Sequence, residues 1–514
     1  MRYLVTGAEM KRYDQNCMEK IGIPSLVLME RAALETFYVL REKGWILAGE
    51  SALILAGVGN NGGDGLALAR LLCEAGMTVK VFVVGNIEKA SKQWSEQREI
   101  LKHYPVEFLG DLNEDNFSIV VDAIFGVGLS RQVSGEFDAA IRRGNELKGY
   151  KVSLDIPSGV SSDDGKVFGI SFQADVTVTY GFEKRGLYLY PGCKAAGEVR
   201  LADVGITKYA FFDEEPTCFT LDETLEELLP KRSPDGNKGS FGKALILAGS
   251  KNMAGAAILC ARACYRLGAG MVKILSSSEN RVILQESLPE AMLGPVEDAE
   301  EIKRSLAWCD VVCIGPGLGK SEEAKNAFKR VLEDLDGVNK PLVIDADGIN
   351  IVAEDPALCQ NLRGNTAAGR IVLMTPHPGE LLKLTKSIFP EEKDLTMDGL
   401  KSAFAEKARR VAEELGVILV AKDARTICVN NNCPIYMNLS GNSGMGTAGS
   451  GDVLSGIITA FFCQENKSGA SEAKDYFLAA CRAVRTHGLL GDLEAKRGIL
   501  GEHSVMAGDL YRSI

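Results

Sequence analysis

Histidine is scarce in this chain, with four in 514 residues, and none of the 13 cysteines stands in a Cys-x-x-Cys pair. Cys260/Cys264 and Cys309/Cys313 are spaced by four, and no histidine cluster completes a ligand set, so zinc is not expected. Basic residues are outnumbered: 58 Lys and Arg against 69 Asp and Glu give a formal net charge of -11. That balance lacks the basic surplus or stripe of a nucleic-acid binder. No apolar run is long enough to span a bilayer, so no membrane partner is expected. The N-terminus, Met1 to Glu9, has no apolar signal core, and low-complexity tracts are absent. Reduced, mostly buried thiols in a cytoplasmic protein fit this pattern, and a homo-oligomer is the expected assembly.

What the chain does have is apolar content, 46% of residues, and a length that calls for two or three domains. An amphipathic helical stretch is predicted from about Thr6 to Leu40. Short β-rich runs follow at Ala52–Ala56, Val79–Val84, Ile119–Val121, Val152–Leu154 and Val176–Val178, separated by helical patterns such as Leu66–Glu74. That alternation predicts α/β architecture, a parallel sheet covered on both faces. Turn- and charge-rich sequence at Asp213–Pro216 and Lys231–Gly236 predicts a linker region. A second series then runs Ala244–Ala248, Val272–Leu275, Val311–Ile314, Leu342–Ile344, Ile371–Met374 and Val417–Val420. It closes on a predicted hairpin, Thr426–Val429 and Ile435–Met437, turning at Asn430–Asn432. The expected domains are 1–212 and 222–514.

Each series carries its own glycine-rich cradle. The first is Gly57-Val58-Gly59-Asn60-Asn61-Gly62-Gly63-Asp64-Gly65. It matches the dinucleotide fingerprint by letter, but the next strand ends Val83-Val84-Gly85-Asn86 without the ribose-binding carboxylate. A standard NAD-dependent dehydrogenase is therefore disfavoured. Asp122 and Asp155 both end apolar runs, the edge where open parallel sheets bind ligands. Either alone is as well read as a helix cap or loop carboxylate; with the glycine loop they suggest a shared pocket. Asn61, Asp122 and Ser158 offer oxygen ligands to a monovalent cation. The stretch Gly126, Val127, Gly128, Leu129, Ser130, Arg131 and Gln132 reads as another phosphate-facing loop, with Arg131 as counter-charge.

The second cradle is Gly441–Asp452, read as a loop of backbone amides opening a helix over Val453–Phe462. Asp452 would then stand beside an attacking hydroxyl, in a phosphoryl transfer where the protein positions groups and stabilises charge. No Walker A is present, since the glycine spacing of Gly315–Ser321 is one residue short. Lys422-Asp423-Ala424-Arg425-Thr426 follows a strand and brings two cations, either to a nucleotide phosphate or to a solvated turn. His377 sits in a Pro-His-Pro loop past a buried strand. One of Asp345 and Asp347 is expected to help hold magnesium.

Residues 1–206 closely resemble the NAD(P)HX epimerase domain, through Met10–Ala33, Gly59–Gly65, Val121–Leu129, Asp155–Gly159 and Pro191-Gly192. The resemblance implies interconversion of the R and S forms of hydrated NADH or NADPH and potassium at Asn61, Asp122 and Ser158. It also implies hydrated-nucleotide contacts at Asn60, Asn61, Gly62, Gly63, Asp64, Gly126–Gln132 and Asp155. Asp155 is the catalytic candidate. Residues from about 225 to 514 resemble the ADP-dependent NAD(P)HX dehydratase, a member of the ribokinase-like group. The matching stretches are Leu229–Arg232, Lys238–Lys243, Gly315–Gly319, Asp345–Asp347, Thr375–Leu381, Lys422–Thr426 and Gly444–Asp452. This implies a Rossmann-like three-layer N-terminal domain and a ribokinase-like C-terminal domain. ADP is the implied co-substrate at Lys422, Asp423, Ala424, Arg425, Thr426 and at Gly444, Met445, Gly446, Thr447, Ala448, Gly449, Ser450, Gly451. Hydrated nucleotide is implied at Ala256, Gly317 or Gly319, His377 and Asp452, with Asp452 catalytic. Loss of phosphate would restore the ring and leave AMP. Asn237 stands where the family usually has His, and Asp423 where Gly is usual. The rival reading is a ribokinase-like small-molecule kinase fused to a non-catalytic nucleotide-binding domain.

Overall fold

The computed structural model describes residues 1–335 and 340–512. The chain forms two compact units, Tyr3–Cys218 and, with Met1–Arg2, Phe219–Ile514.

The first unit is built on seven parallel strands: β1 (Ser51–Gly57), β2 (Thr78–Val84), β3 (Glu107–Leu109), β4 (Asn116–Ala123), β5 (Lys148–Leu154), β6 (Val176–Tyr180) and β7 (Glu198–Ala202). Their order is β3-β2-β1-β4-β5-β6-β7. Alternate residues of β1 feed opposite cores. Ala52, Ile54 and Ala56 enter one, while Leu53 and Leu55 enter the other. Burial on both faces explains why the strand reads as an unbroken apolar run. The chain reverses direction of winding between β1 and β4, and a crevice opens there at the carboxyl edge.

The predicted N-terminal helix is two helices, Gly7–Asn16 and Ser25–Glu42, separated by a wide turn at Cys17–Ile21. Gly22 adopts φ 91°. Pro24 disfavours helix in the residue before it, so Ile21-Gly22-Ile23-Pro24 ends one helix and aims the next. The helix expected from Leu66 already begins at Asn60.

The second unit repeats the principle with β8 (Lys243–Leu247), β9 (Met271–Ser276), β10 (Met292–Pro295), β11 (Val311–Ile314), β12 (Leu342–Ile344), β13 (Val372–Met374) and β14 (Ile418–Ala421). The parallel order is β10-β9-β8-β11-β12-β13-β14, extended by the antiparallel hairpin β15 (Ile427–Val429) and β16 (Ile435–Met437). The stretch expected to be linker holds a buried strand, Cys218–Thr220, and a short helix, Leu225–Leu228. Phe219 packs 5.5 Å from the Tyr436 ring and 6.4 Å from that of Phe477. It is a core residue of the second unit that lies ahead of Asp222. Truncating Phe219→Ala should cost about 3–5 kcal/mol, the scale for emptying a buried aromatic site, and is read as a lower midpoint in the second unit's chemical unfolding.

Candidate functional site

A cavity of about 790 Å³ opens at the carboxyl edge of the first sheet. Asn60, Asn61 and Asp64 reach it from the first turns of the helix Asn60–Glu74, and Gly126 to Arg131 form a second wall. Gly62 and Gly63, expected to contact ligand, do not line it. A Cβ on Gly62 would lie 1.8 Å from the Gly57 carbonyl oxygen, and one on Gly63 2.7 Å from Met29 Cε. They are glycines so that the helix can pack against strand and neighbour. Gln132 also stays outside the lining.

Asp155 lines the same cavity, just past β5, at φ 67°, a conformation aspartate tolerates better than most residues. Its amide donates to Val178 O at 2.7 Å. Its Oδ1 accepts from the Lys184 ammonium at 2.5 Å and from the Tyr180 amide at 3.4 Å. Lys184 is fully buried, and its other two protons go to Thr179 Oγ1 at 3.0 Å and Tyr180 O at 2.8 Å. The ammonium is therefore saturated. It is carried on Glu183–Lys184, which pairs in parallel with the strand Arg2–Val5. Asp14 also lines the cavity, and burial, then the Asp155 charge, raises its carboxyl above the usual range.

Asp122 and Ser158 lie fully buried beneath this floor. Ser158 donates to Asp122 from Oγ at 2.6 Å and from its amide at 2.8 Å; Ser153 Oγ donates at 3.0 Å and the Ile124 amide at 3.2 Å. Burial outweighs those bonds and pushes Asp122 up to about 6. Asn61 joins through Phe125: its Nδ2 donates to the Phe125 carbonyl, and the Phe125 amide donates to Ser158 Oγ, both at 2.9 Å. Asn61 Oδ1 is buried and accepts no hydrogen bond. An orphaned oxygen linked through one residue's backbone to a buried hydroxyl and carboxylate supplies oxygen donors of the kind a hard cation takes.

In the second unit the strand ends converge on Asp345, which follows β12. It is 1% exposed and accepts from Lys422 Nζ at 2.9 Å, Ser455 Oγ at 2.7 Å and Thr375 Oγ1 at 2.5 Å. Burial alone would raise its carboxyl, but the Lys422 charge and these bonds bring it below the usual range. For Lys422, burial is outweighed by the charges of Asp345, Glu380 and Asp452, and its ammonium is held above its ordinary value. Asp345 thus meets three protein donors, a lysine and two hydroxyls. Asp347 accepts the Gly319 amide through Oδ2 at 2.8 Å and keeps its other oxygen. A group of three or more His, Cys, Asp or Glu able to hold a metal does not occur among the described residues.

Asp452 sits in the first turn of the helix Ser450–Ser468, which follows Gly449 at φ 92°. First-turn amides lack intrahelical acceptors, so Gly451 and its neighbours present donors to an anion. Lys422 Nζ comes within 3.4 Å of where a Cβ on Gly451 would stand, so this cation faces the same amides. Burial, then the Asp345 charge, pushes Asp452 up to about 6. The start of the loop is pinned: the Gly441 amide donates to Asp492 at 2.9 Å, and Asn442 Oδ1 accepts the Gly444 amide at 3.0 Å. The Ser450 hydroxyl bonds His487 Nε2 at 3.2 Å; burial lowers that imidazole to about 4, so it is neutral.

His377 Nδ1 accepts the Gly379 amide at 3.0 Å, which leaves the proton on Nε2, 3.3 Å from Glu380 Oε1. Burial pushes Glu380 up to about 7. Gly317, at φ 55°, approaches Ala256: an added Cβ would meet the Ala256 Cβ at 2.7 Å. Asp423 and Ala424 are exposed, and the Ala424 amide turns back to Asp423 Oδ1 at 2.9 Å. Asn237 caps its own turn, accepting the Gly239 amide at 2.9 Å.

Sequence reasoning missed Asp14, Tyr180 and Lys184 in the first site and Thr375, Glu380 and Ser455 in the second. One signal was available: Asp14 is four residues from Met10 on a helix whose Met10 and Tyr13 are buried, so it shares the inward face.

Residues 244–511 match the family described as NAD(P)H-hydrate dehydratase, and residues 25–186 match the one described as the YjeF-related protein N-terminus. The chain is 34% identical to the bifunctional NAD(P)H-hydrate repair enzyme of Moorella thermoacetica, over 99% of this chain and 95% of that one. It is 29% identical to the Escherichia coli protein of the same description, over 98% and 92%. Among solved structures, the ADP/ATP-dependent NAD(P)H-hydrate dehydratase of Bacillus subtilis, co-crystallised with ATP and Mg2+, is 26% identical. It matches 56% of this chain and 94% of its own, with a TM-score of 0.43.

Proposed function

The chain belongs to the family of bifunctional NAD(P)H-hydrate repair enzymes, and from that premise we propose how its two sites divide the work. The protein is an NAD(P)H-hydrate epimerase and dehydratase. The first unit is the epimerase. Its cavity binds the hydrated nucleotide between Asn60, Asn61, Asp64 and the wall Gly126–Arg131, and Asp155 handles a proton at the hydroxyl-bearing carbon. The second unit is the dehydratase, with hydrated nucleotide near Ala256, Gly317 and His377, and ADP on Lys422–Thr426 and Gly444–Gly451. The observation that carries this division is that each unit has its own carboxylate at its own sheet edge, Asp155 locked by Lys184 and Asp452 facing Lys422.

In the dehydratase, Asp452 takes the proton of the added hydroxyl as that oxygen attacks the terminal phosphate of ADP. Lys422 and the first-turn amides hold the charge on the transferring group. That transfer leaves AMP. Phosphate then departs from the ring far more readily than hydroxide would, with the ring nitrogen's lone pair assisting, and the neighbouring carbon loses a proton to solvent, which restores the dihydronicotinamide double bond. Magnesium, with Asp347 as its protein ligand and the rest of its shell from nucleotide phosphates and water, would neutralise phosphate charge. Potassium would sit at Asn61, Asp122 and Ser158 and supply positive charge beneath the epimerase cavity; the orphaned Asn61 Oδ1 supports this. The rival kinase reading is not favoured, because the match to the repair enzymes spans both units.

Asp122→Ala should slow R-to-S conversion and spare ADP-driven dehydration of the S form. Unchanged epimerisation in that variant, with and without potassium, removes the cation. The function as a whole is tested by supplying hydrated NADH with ADP and following the return of the dihydronicotinamide absorbance band.

A further inference from the structure

Three carboxyl side chains, Asp14, Asp64 and Asp155, line the first cavity together with one lysine that reaches them, Lys184. That lysine is already saturated by Asp155, Thr179 and Tyr180. Asp64 makes no hydrogen bond or ion pair with any described residue, although it faces Asp155, Asp14 and Lys184 and lines the cavity beside Asn61. Tyr180 brings no proton to it either: the Thr36 hydroxyl gives its only proton to Ala32 O, so Tyr180 donates to Thr36 at 2.9 Å. The other cations on the cavity wall are Lys11 and Arg131. An unpaired carboxyl opening into a ligand cavity is not a structural ion-pair member. It serves whatever occupies the cavity.

Resting on the epimerase reading of this cavity, we propose that Asp64 is a second catalytic carboxyl, the proton donor to the hydroxyl that leaves the hydrated ring, with Asp155 as the acceptor. Hydration of an enamine double bond puts the hydroxyl on the carbon beside the ring nitrogen. Breaking its C–O bond, assisted by the neighbouring nitrogen lone pair, makes that carbon planar and so allows it to invert. Asp64 protonates the hydroxyl oxygen, the nitrogen lone pair forms C=N, and water leaves. Water then adds to the other face of the same carbon, the C=N electrons return to nitrogen, and Asp155 takes the proton released. Exchange of one proton between the carboxyls through solvent restores the starting state. No oxidant or cofactor enters the balance. Burial, followed by the negative charges of Asp155 and Asp14, holds Asp64 well above the ordinary carboxylate range, the state a donor needs. Asp155, tied to an ammonium, has the opposite surroundings, and paired carboxyls in unlike surroundings divide acid and base roles.

The test uses the full-length protein with separated R and S hydrated NADH, in water enriched in oxygen-18, against a blank without protein. The wild type should interconvert the forms and place the heavy isotope in the hydroxyl. Asp64→Asn, which keeps shape but carries no acidic proton, should cut the protein-dependent rate by about 10²-fold or more. Its ADP-driven dehydration of the S form should be unchanged, which reports that the chain is folded. Asp64→Glu should recover part of the rate. The wild-type rate should fall as pH rises and Asp64 loses its proton, and Asp64→Asn should lack that alkaline limb. Near-normal epimerisation by Asp64→Asn, or inversion without isotope uptake in an active wild type, overturns the proposal alone. A wild type that leaves the R form untouched overturns the epimerase reading with it.

Discussion

Asp452→Asn is expected to lower ADP-driven dehydration by about 10²-fold or more while ADP still binds. The substitution keeps the side chain's size and much of its hydrogen bonding but removes the group that accepts a proton. The effect should be confined to the second unit, so R-to-S conversion continues at its normal rate. The wild type should also carry a signature of this carboxyl in its pH profile. Asp452 is raised to about 6 by burial and by Asp345, and only its ionised form is a base. Dehydration by the free enzyme should therefore fall as pH drops through about 6, and the variant's residual rate should lose that limb. Near-normal turnover by folded Asp452→Asn would make the residue structural and leave the hydroxyl to another activating group.

Lys422→Met is expected to cost about 3–5 kcal/mol of stability, besides abolishing nucleotide-dependent turnover. The reason lies in Asp345, which has 1% of its side chain exposed and faces this one ammonium at 2.9 Å. Without it a buried carboxylate keeps only the Thr375 and Ser455 hydroxyls. Adding Asp345→Asn to Lys422→Met should return much of the loss, because the stranded charge is then gone. The pair also sets a pH window. Asp345 is held below its ordinary value, so its contribution is present above the unfolded carboxylate pKa and is lost as pH falls through the native one. Lys422 is held above its ordinary value, so its contribution is present below the unfolded amine pKa and is lost as pH rises through the native one. The pair stabilises fully from roughly pH 4 to 10. Urea unfolding of the two variants at neutral pH and below pH 4 reads both effects. A loss of under about 1 kcal/mol for Lys422→Met at neutral pH would mean that water already solvates Asp345.

Strand positions were legible because parallel strands buried on both faces are continuous apolar runs, and the glycine cradles stood out by their density of glycine, which at Gly57, Gly62 and Gly444 reflects close backbone approach. The broken N-terminal helix was written in Ile21-Gly22-Ile23-Pro24, yet a face of apolar residues running through it masked the break. Side chains whose roles come from distant partners were not legible. Lys184 reaches Asp155 across 29 residues and Lys422 reaches Asp345 across 77, and neither separation leaves a local pattern. Nor does the sequence show that Asp345 meets a lysine and two hydroxyls, each brought from another element by folding. Gly62 and Gly63 stood out as part of a binding motif, but the packing that forbids a Cβ at each was not legible, since the Gly57 carbonyl and Met29 reach them only in the fold.

The central claim, two independent sites in one chain, is tested most directly by mixing Asp155→Asn protein with Asp452→Asn protein, supplying the pure R form with ADP, and following the dihydronicotinamide band. Each variant alone should return almost no absorbance beyond the blank, the first for want of S material and the second for want of dehydration. The mixture should approach the wild-type rate, since the S form made by one chain diffuses to the other. Failure of the mixture, with each variant keeping the activity of its intact site, or rapid recovery by either variant alone, would contradict the division of labour.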